Sequence, residues 1–525
     1  MNLTSYNPTQ GVVAAGHPKT AEAAQTILQA GGNAFDAVVG AMLASFVVES
    51  TLTSAAGGGF LLAHTHHNQN ILFDFFTQTP RHKRPTNELN FYPVDVNFGE
   101  ATQAFYIGLG SMAVPGSLAG AFAVHQQLGR LPLSLVAEPT LQYARNGIKV
   151  VPFQSFCINS LLHPILLALP ESRQLYAPQG TLVQTGDTLY MRDFANTLEY
   201  IIEQGIEEFY QGDIAHQIAQ DCQEHGGYLT LEDLASYQVI QRSPLKVNYR
   251  GRELLTNPPP SSGGALIAFA LKLLEKIDFR DLKFASATHR QILAQVMALT
   301  NEARKDGYDA HIYSPDVAEQ FLALNHLQTY QNSLTQTVNK WGSTTHVSVM
   351  DEEGNAASAT TSNGEGSSYV IPGTGIMINN MLGEADLNPA GFHQWHCNQR
   401  ISSMMAPTIL LQQGKPEIVL GSGGSNRIRT VILQVISNLI DFKMSVHDAV
   451  EAPRVHWENQ VFHIEPPYLP NLEESLQLPT DTDVLFWQEQ NMFFGGVHAV
   501  QKNTIGEMVG AGDPRRGGAV EDSKP

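Results

Sequence analysis

Apolar positions near the start of the chain recur at helical spacing, and small residues interrupt them. Residues 21–30 are predicted to form a helix that ends at the glycine pair Gly31 and Gly32. A second helix is predicted from Asn33, whose side chain is a good N-cap, through Phe46. The chain therefore opens with two helices joined by a tight glycine turn.

Short apolar runs follow these helices and are typical of strands. Three glycines at 57–59 precede the runs 60–63 and 71–76, and each run is predicted to be a strand. Residues 130–300 carry a mostly helical pattern with proline and glycine interruptions. The pattern of the whole front part therefore indicates mixed α and β structure.

A polar segment breaks this pattern at residues 328–343. It is rich in Gln, Asn, Ser and Thr and has no apolar period, so we predict an exposed loop. Loops of this kind tolerate cutting of the chain. Further strands are predicted after the loop, at residues 345–350, 356–361, 375–378 and 408–411.

The first two of these strands are predicted to form a hairpin, because the Asp-Glu-Glu-Gly-Asn run between them is a turn signal. If Asp351 lies opposite Ala356, the numbers of paired residues sum to about 707, within about two. This register places Thr344 opposite Ser362 and Asn363. Taken alone, the pattern favours an ordinary structural hairpin with polar ends.

The position of Thr344 after a polar loop points to one kind of chemistry. A threonine hydroxyl is a weak nucleophile unless a base removes its proton. An α-amino group has a pKa of roughly 7.7–8.0, which is close to the pH at which a general base works best. A cut between Ser343 and Thr344 would place that base and the hydroxyl on one residue, at little entropic cost.

Composition narrows the classes of function. The 525 residues are 43% apolar and 15% charged, which fits a globular protein with an ample core. The net charge of −19 argues against a nucleic-acid partner, because phosphate recognition needs basic surface. The longest apolar run, residues 37–48, is too short to span a bilayer. The first basic residue is Lys19, so we expect neither a membrane span nor a signal peptide.

Cysteine and histidine usage suggests no metal and no disulfide framework. The three cysteines, Cys157, Cys222 and Cys397, are widely spaced and form no Cys-x-x-Cys pair, which favours a reducing, cytoplasmic location. The histidines at 64, 66 and 67 have no acidic or cysteine partner nearby in the sequence, so no metal site is predicted there. No metal or organic cofactor is implied.

From Thr344-Thr345-His346 onward, the sequence resembles the small subunit of the γ-glutamyltransferases, also called glutathione hydrolases. The resemblance covers nearly the whole chain. Motifs before the threonine are Gly11-Val12-Val13-Ala14, His17-Pro18, Gly31-Gly32-Asn33-Ala34, Gly57-Gly58-Gly59-Phe60, Val114-Pro115-Gly116 and Pro258-Pro259-Pro260-Ser261-Ser262-Gly263-Gly264. Motifs after it are Asp351, Gly354-Asn355, Gly375, Asn379-Asn380, Ser402-Ser403-Met404, Pro407-Thr408, Gly421-Ser422-Gly423-Gly424, Ala452-Pro453-Arg454 and Asp513-Pro514-Arg515. Each motif alone is weak, and together in this order they are highly specific.

The resemblance implies catalytic roles for five positions. Thr344 matches the self-cleaving nucleophile, and Ser362 matches the hydroxyl that orients it. Gly423, Gly424 and Ser425 match the loop whose backbone amides form the oxyanion hole. Donors in such a hole are typically worth roughly 3–4 kcal/mol each.

Four further positions are implied to bind the substrate. Asn363 and Glu384 match residues that contact the α-amino group of a γ-glutamyl substrate. Ser402 and Ser403 match two serines that hold its α-carboxylate. The expected substrate is therefore a small-molecule γ-glutamyl or related acyl amide.

The sequence departs from the family pattern in the loop at 421–425, which reads Gly-Ser-Gly-Gly-Ser where the family usually has Gly-Ser-Pro-Gly-Gly, and at two positions of the substrate clamp. The family carries an arginine after Asp-Phe that clamps the α-carboxylate, and Phe76 stands there; Met381 replaces a glutamine that helps to hold the amine. An apolar side chain cannot replace a guanidinium that faces a carboxylate. Either Arg81 or Arg84 supplies the charge from another angle, or the acyl group is not a free γ-glutamyl group.

The resemblance implies an α+β fold, a four-layer αββα N-terminal-nucleophile hydrolase sandwich with an added helical lobe. It implies a precursor that cuts itself into a large subunit, residues 1–343, and a small subunit, residues 344–525, which stay together as a heterodimer. The implied activity passes a γ-glutamyl or related acyl group to water or an amine through a threonine acyl-enzyme.

Two alternatives remain open at this point. A related acylase or peptidase would use the same nucleophile on another amide, which would account for Phe76 and Met381. An uncleaved binding scaffold would have lost catalysis, which fits the altered clamp but does not explain the intact set Thr344, Ser362 and Asn363.

Overall fold

The computed structural model describes residues 7–97, 102–330, 344–468, 471–478, 482–503 and 505–523. Two antiparallel sheets pack face to face at its centre. Among these described residues, the first sheet has seven strands, in spatial order Ala519–Asp522, Gly11–Ala15, Thr345–Asp351, Ala356–Ser362, Gly58–His64, Asn70–Phe75 and Ile240–Arg242. The second sheet has six strands within the same described ranges, in spatial order Met508–Gly512, Gly496–Lys502, Lys415–Gly423, Thr408–Gln412, Arg252–Thr256 and Leu245–Tyr249.

Helices cover the outer face of each sheet. Those on the side of the first sheet are Pro18–Gln29, Ala34–Val48, Ser117–Leu128 and Leu133–Asn146, the last of which packs on the first two helices. Those on the side of the second sheet are Gly263–Leu274, Ala287–Ala303, Arg427–Ile440 and Val446–Glu451. The predicted four-layer αββα sandwich is therefore confirmed.

A helical lobe extends the sandwich on the side of the first sheet. Its helices are Pro152–Phe156, Cys157–Leu161, His163–Leu166, Pro170–Tyr176, Arg192–Gln204, Glu207–Tyr210, Asp213–His225 and Leu231–Ala235. The remaining α-helices of the described residues are Val317–Phe321, Leu324–Tyr330 and Leu472–Ser475. Among the described residues, no helix combines the length and the apolar character that crossing a bilayer requires.

Smaller sheets and single turns complete the described chain. The smaller sheets pair Tyr92–Asn97 with Thr102–Ile107, Ile148–Lys149 with Thr188–Leu189, Val370–Ile371 with Ile376–Met377, and Val455–Glu458 with Val461–Ile464 and Asp483–Phe486. The single turns of 3-10 or π helix are Thr86–Glu88, Leu109–Ser111, Arg304–Tyr308, Asp309–His311, Met381–Gly383, Met492–Phe494 and Pro514–Arg516.

The two opening helices form where the sequence predicts them. The second begins after Asn33, whose side chain accepts hydrogen bonds from the backbone N–H groups of Phe35 and Asp36, while Asp36 accepts one from Asn33. This reciprocal pair is a capping box. The helix continues to Val48, two residues beyond the predicted end, because its last turn is also apolar and buried.

The predicted polar loop is wrong at its start. Residues 328–330 belong to the helix Leu324–Tyr330, in which Leu327 and Tyr330 are buried in the core beside the second sheet. Those two apolar side chains extend the helical pattern into the polar segment. The rest of the predicted loop, residues 331–343, lies outside the described residues.

The central hairpin consists of the strands Thr345–Asp351 and Ala356–Ser362. Thr345 pairs with Thr361 and Met350 pairs with Ala356, so paired numbers sum to 706. This is one less than the expected value and within its tolerance. The hairpin lies at the centre of the first sheet, between strands from the front part of the chain.

The two faces of the hairpin enter different cores. Val347 and Val349 pack toward the helices over the first sheet. His346 lies between the sheets, where its ring nitrogens contact the Thr360 hydroxyl at 2.7 Å and the Ser348 hydroxyl at 2.9 Å. A Cβ on Gly421 of the second sheet would lie 2.3 Å from the imidazole, so the sheets meet here only because that residue is glycine.

Asp351 ties the hairpin turn to the helical layer. One carboxylate oxygen accepts a hydrogen bond from the backbone N–H of Asn355 at 2.9 Å. The other accepts from the Asn355 side chain at 2.8 Å and from the backbone N–H of Ala34 at 2.9 Å. The same carboxylate therefore closes the turn and holds the first turn of the helix Ala34–Val48.

We expect Asp351→Ala to lower the free energy of unfolding by about 3 kcal/mol, because it leaves buried amide donors without a partner. The exposed Glu353→Ala, which removes a surface ion pair with Arg130, should cost under about 1 kcal/mol. Urea denaturation of both variants beside the unmodified protein measures the difference. Equal losses in the two variants would contradict the assigned role of Asp351.

Candidate active site

Thr344 directly precedes the strand Thr345–Asp351 and is 5% exposed. The hairpin register carries it next to Ser362, the last residue of the partner strand. Both residues line one cavity of about 330 Å³. The Ser362 hydroxyl accepts a hydrogen bond from the backbone N–H of Gly364 at 3.0 Å. The structure therefore brings the two predicted hydroxyl residues together at the end of the central hairpin.

The glycine loop, residues 421–425, reaches Thr344 from the second sheet. A Cβ on Gly423 would lie 2.1 Å from the carbonyl oxygen of Thr344, so the two backbones are in direct contact. Gly424 and Ser425 have φ values of 125° and 49°, and the helix Arg427–Ile440 begins two residues later. The positive end of this helix therefore lies in the wall of the cavity that Thr344 lines, although the backbone N–H groups of Arg427 and Ile428 already bond the carbonyls of Gly424 and Ser425.

Ser425 belongs to the cavity wall. Its hydroxyl donates a hydrogen bond to a carboxylate oxygen of Asp386 at 2.6 Å. Both residues line the cavity beside Thr344. Gly423 and Gly424 contribute backbone only, and their predicted role in an oxyanion hole remains a prediction.

A group of acidic side chains lies beside the hairpin end. Glu384 lines the cavity, and its Oε1 atom is buried without a hydrogen-bond partner among the described residues. Burial raises the pKa of Glu384 well above its ordinary value, and the charges of Glu365 and Asp386 raise it further. Gly364 has a φ of 61°, which favours glycine, and a Cβ there would lie 2.0 Å from the same oxygen.

Asn363 is placed differently from its predicted partner Glu384. It directly follows the hairpin and is buried, but it is not among the residues that line the cavity. Its side-chain oxygen has no hydrogen-bond partner among the described residues. Asn363 therefore directly follows the residue that the hairpin register places beside Thr344, while its predicted contact with substrate stays a prediction.

Ser402 and Ser403 lie in another part of the cavity wall. The carbonyl of Ser403 accepts hydrogen bonds from the Ser261 hydroxyl and the Ser262 backbone N–H, each at 2.8 Å. A Cβ on Gly263 would lie 2.0 Å from the carbonyl oxygen of Met404. The proline and glycine motif at 258–264 therefore supports the segment that carries the two serines.

Phe76 and Met381 both line the cavity and are otherwise buried. The Phe76 ring stacks on Phe60 with ring centroids 5.4 Å apart. Its backbone carbonyl accepts a hydrogen bond from Arg400, whose guanidinium also bonds the Tyr237 hydroxyl at 2.8 Å. The wall at this point is therefore apolar, and the nearby buried guanidinium is used within the protein.

Of the two alternatives for the missing arginine, replacement by Arg81 or Arg84 is not supported by the structure. Arg81 donates to the Ser236 hydroxyl at 2.9 Å. Arg84 donates to the carbonyls of Cys222 and Gly227 at 2.9 and 3.1 Å. Neither is among the residues that line the cavity, because both are held by the helical lobe instead.

Sequence reasoning missed the outer part of the cavity. Arg304 is the single Arg or Lys among the described lining residues, and its Nε atom lies 3.0 and 2.8 Å from the two carboxylate oxygens of Asp309. Tyr313 and Trp395 supply aromatic surface to the same cavity. None of the four belongs to a recognisable motif, so only their shared cavity identifies them.

The comparison with known protein families gives one match that spans nearly the whole chain. Residues 20–523 match the model of the gamma-glutamyltranspeptidase family. The chain belongs to this family. The glutathione hydrolase proenzyme of Escherichia coli strain K12 is 30% identical over 96% of this chain and 90% of that protein.

Acylases are similar to the chain to the same degree. The acylase ACY 1 proenzyme of Pseudomonas sp. strain V22 is 30% identical over 96% of this chain and 92% of that protein. Among solved structures, the cephalosporin acylase from Bacillus halodurans has a TM-score of 0.86 at 24% identity, and the match covers 99% of this chain and 96% of that one. At that identity the likeness shows the fold alone. As a member of the gamma-glutamyltranspeptidase family, the chain is a γ-glutamyltranspeptidase- or acylase-like enzyme with the N-terminal-nucleophile hydrolase fold.

The raised pKa of Glu384 predicts a pH-dependent gain in stability for Glu384→Gln. A carboxyl with a folded pKa above its unfolded value binds more protons in the folded state, so it destabilises the fold as the pH rises above about 4.3. We therefore expect the variant to unfold at higher urea concentration than the unmodified protein at about pH 8, with the gain vanishing near about pH 4.

The control is Glu353→Gln, which changes an exposed carboxyl on the hairpin turn. It should give no comparable gain at either pH. A Glu384→Gln protein that is less stable than the unmodified one at about pH 8 would contradict the burial of an uncompensated carboxyl.

Proposed function

We propose that the chain is a self-processing N-terminal threonine amidohydrolase. It is cut between residues 343 and 344 and then acts as an acylase on a small-molecule amide. The observation that supports this most is the position of Thr344. It lies at the open end of the central hairpin, lines the cavity together with Ser362 and contacts the glycine loop. The names of the E. coli and Pseudomonas relatives, both proenzymes, agree with a processing step.

The proposed reaction uses the freed α-amino group of Thr344 as the base. The amine takes the proton of the Thr344 hydroxyl while Oγ forms a bond to the carbonyl carbon of the substrate amide. The carbonyl oxygen becomes an oxyanion, which backbone N–H donors of the glycine loop and the positive end of the helix dipole stabilise. The bond from carbon to nitrogen then breaks, and the leaving amine takes the proton from the ammonium.

Water completes the cycle by the same route. The α-amine removes a proton from a water molecule, whose oxygen attacks the ester carbonyl of the acyl-enzyme. The ester bond breaks, Thr344 Oγ recovers its proton, and the free acid leaves. A second amine in place of water gives transfer of the acyl group instead of hydrolysis.

The cavity wall supports an apolar acyl group over a free γ-glutamyl group. Phe76 and Met381 form the surface where the family pattern has an arginine and a glutamine. Arg81 and Arg84 lie elsewhere, and Arg400 is engaged by Phe76 and Tyr237. A substrate α-carboxylate placed against this wall would lose its hydration without gaining a charged partner.

Hydrolysis of a γ-glutamyl amide is the second candidate. Glu384, Ser402 and Ser403 all line the cavity, and they are the residue types that a free amino acid group requires. The buried, unpartnered oxygen of Glu384 would gain a partner from a substrate ammonium group. A comparison of acyl groups on one leaving amine separates the two candidates.

Cleavage before Thr344 predicts two fragments under denaturing conditions. By proportion from 57.4 kDa, 343 and 182 of the 525 residues give about 37 and about 20 kDa, with the smaller fragment beginning at Thr344. Intact mass spectrometry of the purified protein measures this beside Thr344→Ala, which should stay whole because it has no attacking hydroxyl. A protein that stays whole through long incubation would favour the binding scaffold instead.

The apolar wall predicts faster hydrolysis of alkyl anilides. We expect hexanoyl p-nitroanilide to have a kcat/KM at least about tenfold above that of γ-glutamyl p-nitroanilide. Met381→Gln, a change of similar size, should lower kcat/KM for the hexanoyl group by about tenfold, because it puts an amide against the acyl chain. Met508→Gln, on a strand that does not line the cavity, should leave it unchanged. A preference for the γ-glutamyl anilide would overturn the acylase proposal and leave the second candidate.

A further inference from the structure

The guanidinium of Arg516 contacts Thr344 without lining the cavity. Arg516 ends the turn Pro514–Arg516 and is 3% exposed. Its Nη1 atom donates a hydrogen bond to the backbone carbonyl of Thr344 at 3.4 Å. Its Nη2 atom donates to the carbonyl of Met492 at 3.3 Å. A buried cation therefore lies directly behind the proposed nucleophile.

Glycines fix the position of this side chain. A Cβ on Gly496 would lie 2.6 Å from Arg516 Cδ, and a Cβ on Gly424 would lie 3.3 Å from its Nη2 atom. The stem and the guanidinium are thus packed against the second sheet and the glycine loop. Arg516 also links these elements to Thr344, which belongs to the first sheet.

Arg516 differs from the arginines beside it because no carboxylate pairs with it among the described residues. Arg454 forms an ion pair with Asp513, and Arg515 pairs with both Asp513 and Glu465. Arg516 bonds only backbone carbonyls, and its Nε atom has no partner in the described part of the chain. Burial lowers its pKa accordingly. A buried charge without an ionic partner lowers the stability of the fold. We therefore expect Arg516 to have a function that compensates for this loss of stability.

We propose that Arg516 is a positioning residue whose buried charge keeps the freed α-amino group of Thr344 neutral, and so able to act as the base near neutral pH. The inference rests on the proposed function, because it needs a cut before Thr344. It concerns a residue outside the set that the family resemblance implies.

Covalent geometry puts the two charges close together. The carbonyl oxygen of Thr344 is three bonds from its own α-nitrogen, so the guanidinium lies within roughly 7 Å of the freed amine. A cation at such a distance disfavours a second cation in a buried site. The charge thus opposes protonation of the amine, whose ordinary pKa of roughly 7.7–8.0 would leave it mostly protonated at neutral pH.

Other titratable groups face the same region from several elements, and some act in the opposite direction. Carboxylates there raise the pKa of a nearby amine, whereas cations lower it. Burial raises the pKa of Glu49 to about 7, so this carboxyl, which bonds the Thr345 hydroxyl, titrates in the same pH range. The groups around Arg516 and Thr344 are Glu49, Cys157, Glu365, Glu384, Asp386, Arg427, Arg454, His498 and Asp513.

The test is the pH dependence of kcat/KM for the matured enzyme, with the best anilide as substrate, between about pH 5.5 and about pH 9.5. Arg516→Met should move the acidic limb upward by about one pH unit. At about pH 6 its kcat/KM should fall about tenfold, and near about pH 9.5 it should approach that of the unmodified enzyme. Arg516→Lys, which keeps the charge, should keep the original limb.

Arg290→Met is the matched control. Arg290 is also 3% exposed and also bonds two backbone carbonyls, those of Ala285 and Pro467, with no ion pair among the described residues. Arg290→Met likewise removes a buried guanidinium, but one whose bonded carbonyls belong neither to Thr344 nor to the glycine loop, so it should leave the pH profile unchanged. The shift caused by Arg516→Met should persist in a Glu49→Gln background, which removes a neighbouring carboxyl whose pKa burial raises to about 7.

Several outcomes would overturn the inference. An unmoved acidic limb, an equal loss at every pH, or the same shift in Arg516→Lys would exclude an effect of charge on the base. Intact mass first shows whether each variant matures; if both Arg516 variants stay uncut while Arg290→Met is cut, Arg516 serves maturation and the inference fails. Absence of cutting and hydrolysis in the unmodified protein would instead refute the proposed function.

Discussion

The backbone of Gly423 meets the carbonyl of Thr344 at a distance that leaves no room for a side chain. This contact joins the second sheet to the first at the point where the central hairpin ends. Because the two sheets approach so closely here, the guanidinium of Arg516 bonds the carbonyl of Thr344, and Ser425 lines the same cavity as Thr344. Gly421, which lies against the ring of His346, permits the same close approach of the two sheets two residues earlier on its strand. The site is therefore a product of sheet packing as much as of the residues that compose it.

Local features of the fold were accessible from the sequence. The capping residue Asn33 and the hairpin register depend on interactions between residues close in the chain, which pattern and turn chemistry describe well. The prediction of a polar loop was wrong at the start of the segment, because Leu327 and Tyr330 pack against apolar residues of the core that no local pattern reveals. The four-layer arrangement itself was predicted through resemblance, since periodicity alone indicates only mixed α and β structure.

In the candidate site too, contacts within the hairpin could be predicted from the sequence, and contacts between distant elements could not. Ser362 is 18 positions from Thr344, so hairpin geometry could place it. Arg516 is 172 positions away from Thr344, and Arg304 reaches the cavity from an irregular turn. Neither position follows from spacing, because each depends on how distant elements pack. For the same reason Arg81 and Arg84, which are close to Phe76 in the chain, are held by the helical lobe and not by the cavity.

Chemistry and selectivity are carried by different parts of the molecule. The proposed reacting groups lie at one end of the hairpin and on the glycine loop, both of which are fixed by backbone contacts. The surface that an acyl group would meet comes from side chains such as Phe76 and Met381. Such an arrangement allows substitutions in the wall to change which amide is accepted without disturbing the reacting atoms.

The order of strands has a consequence for a molecule cut before Thr344. In the first sheet, strands of residues 1–343 and 344–525 alternate: Ala519–Asp522 pairs with Gly11–Ala15, which pairs with Thr345–Asp351, and Ala356–Ser362 pairs with Gly58–His64. A fourth ladder, between Arg252–Thr256 and Thr408–Gln412, joins the fragments in the second sheet. Strands of the two fragments would be hydrogen-bonded to one another in both sheets. The fragments could therefore separate only if ladders in both sheets broke. After denaturation, the two fragments would be separate chains. Refolding would then require their bimolecular association, whereas the precursor folds as a single chain. Such an enzyme is assembled once, and its lifetime is set by the rate of its first unfolding.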